Sequence, residues 1–226
     1  MANRFDIDTG SAGIVTGLHY TAENSLSKGV TLILAHGAGA AQQSPFMRHF
    51  AQGMSSRGID TITFNFVYME KGRRAPDHTT RLEATYRAAI EATEARATAT
   101  SSRLVIGGKS MGGRIASQVA ANDENFVDVH GLIFLGYPLH PPGRPERRRD
   151  AHLPSLAAPM LFVQGSRDPF GTKDEIQPVV DSCQAGRLHI VEGGDHSLKV
   201  RGKDAPPSEK IYATVQDVMA KWITTL

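Results

Sequence analysis

A single cysteine, Cys183, excludes an internal disulfide, and no nucleophile signature surrounds it. It is read as a buried or idle thiol, with a reducing cytoplasm as the expected compartment. No apolar run approaches the roughly 18 to 20 residues that span a bilayer. The opening Met1-Ala2-Asn3-Arg4-Phe5-Asp6 has no apolar signal core, so neither a membrane nor export is expected. Charge of one sign is also scarce: 25 Lys and Arg against 23 Asp and Glu leave a net +2, which gives no ground for a nucleic-acid partner. HExxH and Cys/His clusters are absent, so no metal and no other cofactor are expected. Repeats and low-complexity segments are missing as well. What remains is a chain of ordinary globular composition, 226 residues long, which suits one α/β domain over 1–226 with a substantial core. Its oligomeric state is left open.

The chain is organised around Arg103-Leu104-Val105-Ile106-Gly107-Gly108-Lys109-Ser110-Met111-Gly112-Gly113-Arg114. An apolar run of strand character ends in Gly108-Lys109-Ser110-Met111-Gly112, which fits G-x-S-x-G, and a plausible helix from Arg114 to Ala121 follows. That is the context of a nucleophile elbow, where a sharp strand-to-helix turn leaves no room for side chains beside the central Ser. Gly108 and Gly112 supply the room. A phosphate loop is rejected, because Arg103 occupies the position of the Walker first glycine. Gly37-Ala38-Gly39 opens like a dinucleotide fingerprint, but Gln42 stands at the third glycine position.

Strands over 4 to 9 and 13 to 22 read as an N-terminal antiparallel hairpin. Val30 to Ala35 is a continuous apolar run, expected of a strand covered on both faces. A helix over about 45 to 57 follows, with Ser44 as its cap and Pro45 at its first position. The strand Asp60 to Tyr68 leads into a polar loop, and a long helix over 78 to 98 buries Leu82, Tyr86, Ile90 and Thr93. After the elbow come strands at 129–136, 159–165 and 187–191, a short helix over 173–182 and a closing helix over 208–224. The segment 137–158, rich in Pro and Arg, is a loop too short for a lid domain. This alternation predicts a mostly parallel central sheet with helices on both faces, whose ligand lies at the carboxyl ends of the strands.

A serine hydroxyl needs a base to take its proton, and the base needs an acid to hold its tautomer. Asp168, in Gly165-Ser166-Arg167-Asp168-Pro169, follows the penultimate strand, and His196, in Gly193-Gly194-Asp195-His196-Ser197, follows the last. Ser110, Asp168 and His196 therefore stand in the chain order of such a triad, with Asp195 as the rival acid. Met111 and Ala38 are assigned the N–H groups of an oxyanion hole, with Gly37 as the alternative to Ala38. His36 is expected to pack or hydrogen-bond beneath that loop. Lys109 and Arg114, flanking the elbow, read as a surface charge and a helix-face ion pair. Lys71, Arg73 and Arg74 after one strand, and Arg144, Arg147, Arg148 and Arg149 after another, form basic loops that either frame the mouth or face water; Arg73, Arg74 and Gly37 are the candidate substrate contacts.

In Leu34-Ala35-His36-Gly37-Ala38-Gly39-Ala40, Gly107-Gly108-Lys109-Ser110-Met111-Gly112-Gly113-Arg114, Gly165-Ser166-Arg167-Asp168-Pro169-Phe170-Gly171 and Gly193-Gly194-Asp195-His196-Ser197-Leu198-Lys199, the sequence resembles small α/β-hydrolases. The resemblance is to the family of testis-expressed protein 30 and bacterial dienelactone-hydrolase-like proteins. It implies the α/β-hydrolase fold and a Ser110, Asp168, His196 triad. Dienelactone hydrolases carry Cys where this chain has Ser110, so their substrate is not carried over. The family also includes an animal chromatin-complex subunit. The readings are thus a serine hydrolase of small esters or thioesters, a non-catalytic interaction module on the same fold, and a peptidase.

Overall fold

The computed structural model describes residues 2–96, 103–122 and 128–226. Eight strands form one sheet in the order β1-β2-β4-β3-β5-β6-β7-β8. β1 (Asn3–Asp8) and β2 (Ile14–Tyr20) are the antiparallel hairpin, and β2 also runs antiparallel to β4 (Asp60–Phe64). From β4 onward every pairing is parallel, through β3 (Val30–Ala35), β5 (Arg103–Lys109), β6 (Val129–Leu135), β7 (Met160–Gly165) and β8 (Gly186–Val191).

Side chains alternate between the two faces of this sheet, and both faces are buried. Leu32, Leu34, Val105, Ile133, Leu135, Leu161 and Val163 face one layer, where α1 (Pro45–Ser55) and α6 (Ser208–Ile223) bring Met47, Phe50, Met54, Ile211, Val215 and Met219. Ile33, Ile106, Leu132, Phe134, Met160 and Phe162 face the other. There α3 (Thr79–Glu94), α4 (Met111–Ala121) and α5 (Lys173–Ser182) supply Leu82, Tyr86, Ile90, Ile115, Val119, Ile176 and Val180. Unbroken apolar runs in the central strands are the sequence image of this double burial. Cys183 is buried at the end of α5, where its thiol donates to Val179 O.

The sequence expectation of a strand from Asp60 to Tyr68 fails at its end. β4 stops at Phe64, and Val67–Glu70 is a single helical turn, α2. The Asn65 N–H still reaches Thr16 O, but the Phe66 N–H turns inward to His36 Nε2, at 3.1 Å. Phe66, Val67 and Tyr68 are fully buried beneath the loop after β3, so tertiary placement overrides their β preference. Ser44 occupies the cap position of α1, yet its hydroxyl makes no capping bond. Positions 97 and 98 of the helix expected over 78–98 lie outside the described residues.

Strand order reverses at β3: β4 pairs with one of its edges and β5 with the other. The loops leaving β3 and β5 therefore part to opposite faces at their carboxyl ends and open a crevice between them. Gly37 and Ser110 stand on its two sides.

Candidate active site

Strand β5 turns into α4 at Ser110, whose backbone lies at φ 50°, ψ −116°. Leu198 is the other non-glycine residue with positive φ among those described. The turn is tight because α4 begins directly on the end of β3. A Cβ on Gly108 would lie 2.5 Å from Ala35 O, and one on Gly112 would lie 2.4 Å from the same atom. Ser110 is pinned on both sides, its N–H on Leu135 O at 3.0 Å and its carbonyl accepting the Arg114 N–H at 3.1 Å. The Tyr86 hydroxyl, from α3, fixes β5 just before the turn, donating to Gly107 O at 2.7 Å and accepting the Gly107 N–H at 2.9 Å.

The structure brings the three residues read as a triad into one hydrogen-bonded chain. Ser110 Oγ lies 2.8 Å from His196 Nε2, and His196 Nδ1 lies 2.8 Å from Asp168 Oδ2. Asp168 is fully buried, so its charge is shielded from water. Its Oδ1 accepts the Phe170 N–H at 2.8 Å, while Oδ2 also accepts Gln164 Nε2 at 3.0 Å. An acceptor-only carboxylate held this way requires the proton on His196 Nδ1, leaving Nε2 free to accept from Ser110. Asp195, the rival acid, turns away: its Oδ1 accepts the N–H groups of Ser197 and Lys199, at 2.8 and 3.0 Å, and shapes the loop.

Three contributors carry little signal in the sequence. Gln164, a lone amide in an apolar strand, accepts the Tyr137 N–H at 2.8 Å and donates to Asp168 and Gly171. Phe170 stacks on the His196 ring at 4.1 Å between centroids. Lys109, expected as a surface charge, is buried. It is 9% exposed, its ammonium donates to the His196 carbonyl, and the ring of Phe46 lies 5.6 Å from it. Burial lowers its pKa to about 8, against the pull of Asp168 and Asp195. Arg114 forms no ion pair among the described residues; its Nη1 donates to Gln118 Oε1 at 3.1 Å.

Opposite Ser110, the loop after β3 is held stiffly. His36 is buried, with Nδ1 donating to Gly37 O at 2.9 Å and Nε2 accepting from Phe66; burial lowers its pKa to about 4, so it is a neutral strut. Gln42 ties the loop's far end to Asn65, Thr16 and Thr63. A Cβ on Gly37 would touch Ser110 Cβ at 3.5 Å, so the loop runs directly alongside the elbow. Neither the Ala38 N–H nor the Met111 N–H has an acceptor among the described residues. Two free donors beside a hydroxyl are what developing negative charge on a carbonyl oxygen needs.

These groups open into one cavity of about 820 Å³, floored by Gly37, Ala38, Ser110, Met111, Phe170 and His196. Phe46, Met47, Leu82, Pro138 and Tyr212 form apolar walls. Arg73 and Arg74, expected as substrate contacts, do not line the cavity. Arg73 is drawn onto Asp77 at 2.7 Å, and Arg74 is exposed. Of the second basic loop, Arg149 lines the cavity, whereas Arg148 is held by Asp150. Among the described residues no three His, Cys, Asp or Glu side chains gather as metal ligands, and no helix is long and apolar enough to cross a membrane.

Solved structures share this fold at low identity. An α/β serine hydrolase homologue from Coxiella burnetii superposes with a TM-score of 0.73 at 18% identity, covering 97% of this chain and 96% of its own. A lidless α/β serine hydrolase from Xanthomonas campestris gives 0.71 at 16%, covering 97% and 92%. A dienelactone hydrolase from Anabaena variabilis gives 0.75 at 18%, covering 100% and 97%. The sequence profile of the alpha/beta hydrolase domain matches residues 28–224, from the start of the parallel sheet to the end of α6, and the chain belongs to that family.

Proposed function

We propose that this protein is a serine hydrolase that cleaves small carboxylic esters or thioesters through an acyl-enzyme on Ser110. The observation that supports it most is the chain from Ser110 Oγ through His196 to buried Asp168, with both links at 2.8 Å. Ser110 Oγ attacks the substrate carbonyl carbon while its proton passes to His196 Nε2, and the carbonyl π pair moves onto oxygen, toward the free N–H groups of Met111 and Ala38. Collapse of that intermediate breaks the bond to the alcohol or thiol, which leaves with the proton from His196. Water then enters the same cycle, giving its proton to His196, and releases the acid and free Ser110. Asp168 stays ionised throughout and stabilises the imidazolium. On the motifs quoted above we group the chain with testis-expressed protein 30 and the dienelactone-hydrolase-like proteins, acting as one domain in the cytoplasm. A fluorophosphonate probe tests the reading: the parent gains a single phosphonyl adduct on Ser110, and Ser110→Ala gains none. An interaction module would leave both unlabelled.

A further inference from the structure

One wall of the cavity carries positive charge that has no ion-pair partner among the described residues. Among the described residues, four buried side-chain polar atoms lack a hydrogen-bond partner, and three of them, Ser44 Oγ, Asp77 Oδ2 and Arg114 Nε, belong to residues lining this cavity. Arg114 lies one turn into α4 from Ser110, whose carbonyl accepts its N–H at 3.1 Å, and both residues line the cavity. Among the described residues its guanidinium has the neutral Gln118 amide as partner and no carboxylate within ion-pair range. Half-buried Arg149 comes from the loop after β6, and among the described residues its side chain has neither a hydrogen bond nor an ion pair. Its main chain, by contrast, is fixed: the Tyr137 hydroxyl donates to Arg149 O at 2.8 Å, and the Arg149 N–H reaches Leu139 O at 2.9 Å. The two cations sense each other, since burial and then the charge of Arg149 lower the pKa of Arg114.

The nearby carboxylates hold other cations, and of their oxygens Asp77 Oδ2 is the one left buried without a hydrogen bond among the described residues. Glu83 pairs with Arg87 at 3.8 Å, Asp150 holds Arg148 through two bonds, and Asp77 is shared by Arg73 and Arg81 at 2.7 and 3.5 Å. Lys109, the other buried cation of the cavity, is spent on the His196 carbonyl. Two partly desolvated guanidinia of like charge, one with a buried unpartnered Nε, are costly to hold together unless an anion arrives between them. A guanidinium edge matches a planar carboxylate with two parallel hydrogen bonds.

We infer that Arg114 and Arg149 form a carboxylate-binding subsite beside Ser110, so that the preferred substrates are esters or thioesters bearing a carboxylate a few atoms from the scissile carbonyl. This deepens the serine-hydrolase reading and rests on it.

Two pairs of esters test it and tell which side of the scissile bond carries the charge. Mono-p-nitrophenyl glutarate is compared with its methyl ester for the acyl side, and 3-carboxyphenyl butyrate with its methyl ester for the leaving side. In the parent, kcat/KM favours the anionic member of one pair by about tenfold or more. The ratio falls toward one in Arg149→Gln and in Arg114→Gln, is partly kept in Arg149→Lys, and stays parental in Arg73→Ala, off the cavity. Arg149→Gln is decisive, because Tyr137 and Leu139 hold its main chain whatever its side chain. Ratios near one for both pairs in the parent, or a preference undiminished in Arg149→Gln, overturn the subsite. Fluorophosphonate labelling of the parent separates the two failures: a labelled protein without preference loses the subsite alone, and an unlabelled, inactive one loses both.

Discussion

Lys109 is a cation in a place with little water, next to Ser110 and donating to the carbonyl of His196. Burial holds its pKa at about 8 against an ordinary 10.5, and the sign of the consequence follows from proton counting. Between those values the unfolded chain keeps the proton that the folded protein has released, so stability rises with pH across that window. Below about pH 8 the charged form bears the full desolvation cost; above about 10.5 neither state is charged and the cost is gone. Lys109→Met removes this titration. Its stability relative to the parent, from urea unfolding, should fall by roughly 3 kcal/mol between pH 7 and pH 10.5. A difference independent of pH would show that Lys109 is not buried as a cation. The position also marks where residue-level reading ends. That Ser110, His196 and Asp168 come together in one hydrogen-bonded chain was legible because each sits just past a strand in the chain order of such a triad. Lys109, Gln164 and Phe170 were not, because sequence gives the position of a side chain along a strand but not the group it meets across the cavity.

The elbow shows the same at the scale of an element. Its strand, turn and helix were legible from an apolar run, a G-x-S-x-G and a second apolar period, and α5 and β3 fall at the bounds expected of them. The backbone of Ser110 at φ 50° is held by the crowding of Gly108 and Gly112 against Ala35, which makes it a strained position for any residue with a Cβ. Ser110→Ala keeps that strain and Ser110→Gly relieves it. Both should be inactive, yet the glycine variant should be the more stable by about 1 kcal/mol in thermal or urea unfolding, the reverse of the usual order of these residues. Equal stabilities would mean the turn is unstrained. Where an element was misread, at 65–68, Phe66, Val67 and Tyr68 are strong strand formers. A hydrogen bond from Phe66 to His36, distant in sequence, turned them into the one-turn helix α2.

Across the whole molecule, alternating strands and helices were enough to expect a mostly parallel sheet with its site at the carboxyl edge. The reversal at β3, which opens the crevice, lies in strand order and so in long-range pairing. The basic loops divide for a related reason: Arg73 is neutralised by Asp77 four residues on, whereas Arg149 is carried into the cavity by Tyr137. The central claim is that Ser110 carries the acyl group between two half-reactions, and acid-quenched intact-mass spectrometry during turnover of p-nitrophenyl butyrate tests it most directly. The parent should give a species heavier by one butyryl group, located on Ser110 by digestion, and Ser110→Ala neither adduct nor turnover. Hydrolysis that continues in Ser110→Ala at the parental rate, with no acyl group ever found on Ser110 in the parent, would contradict it.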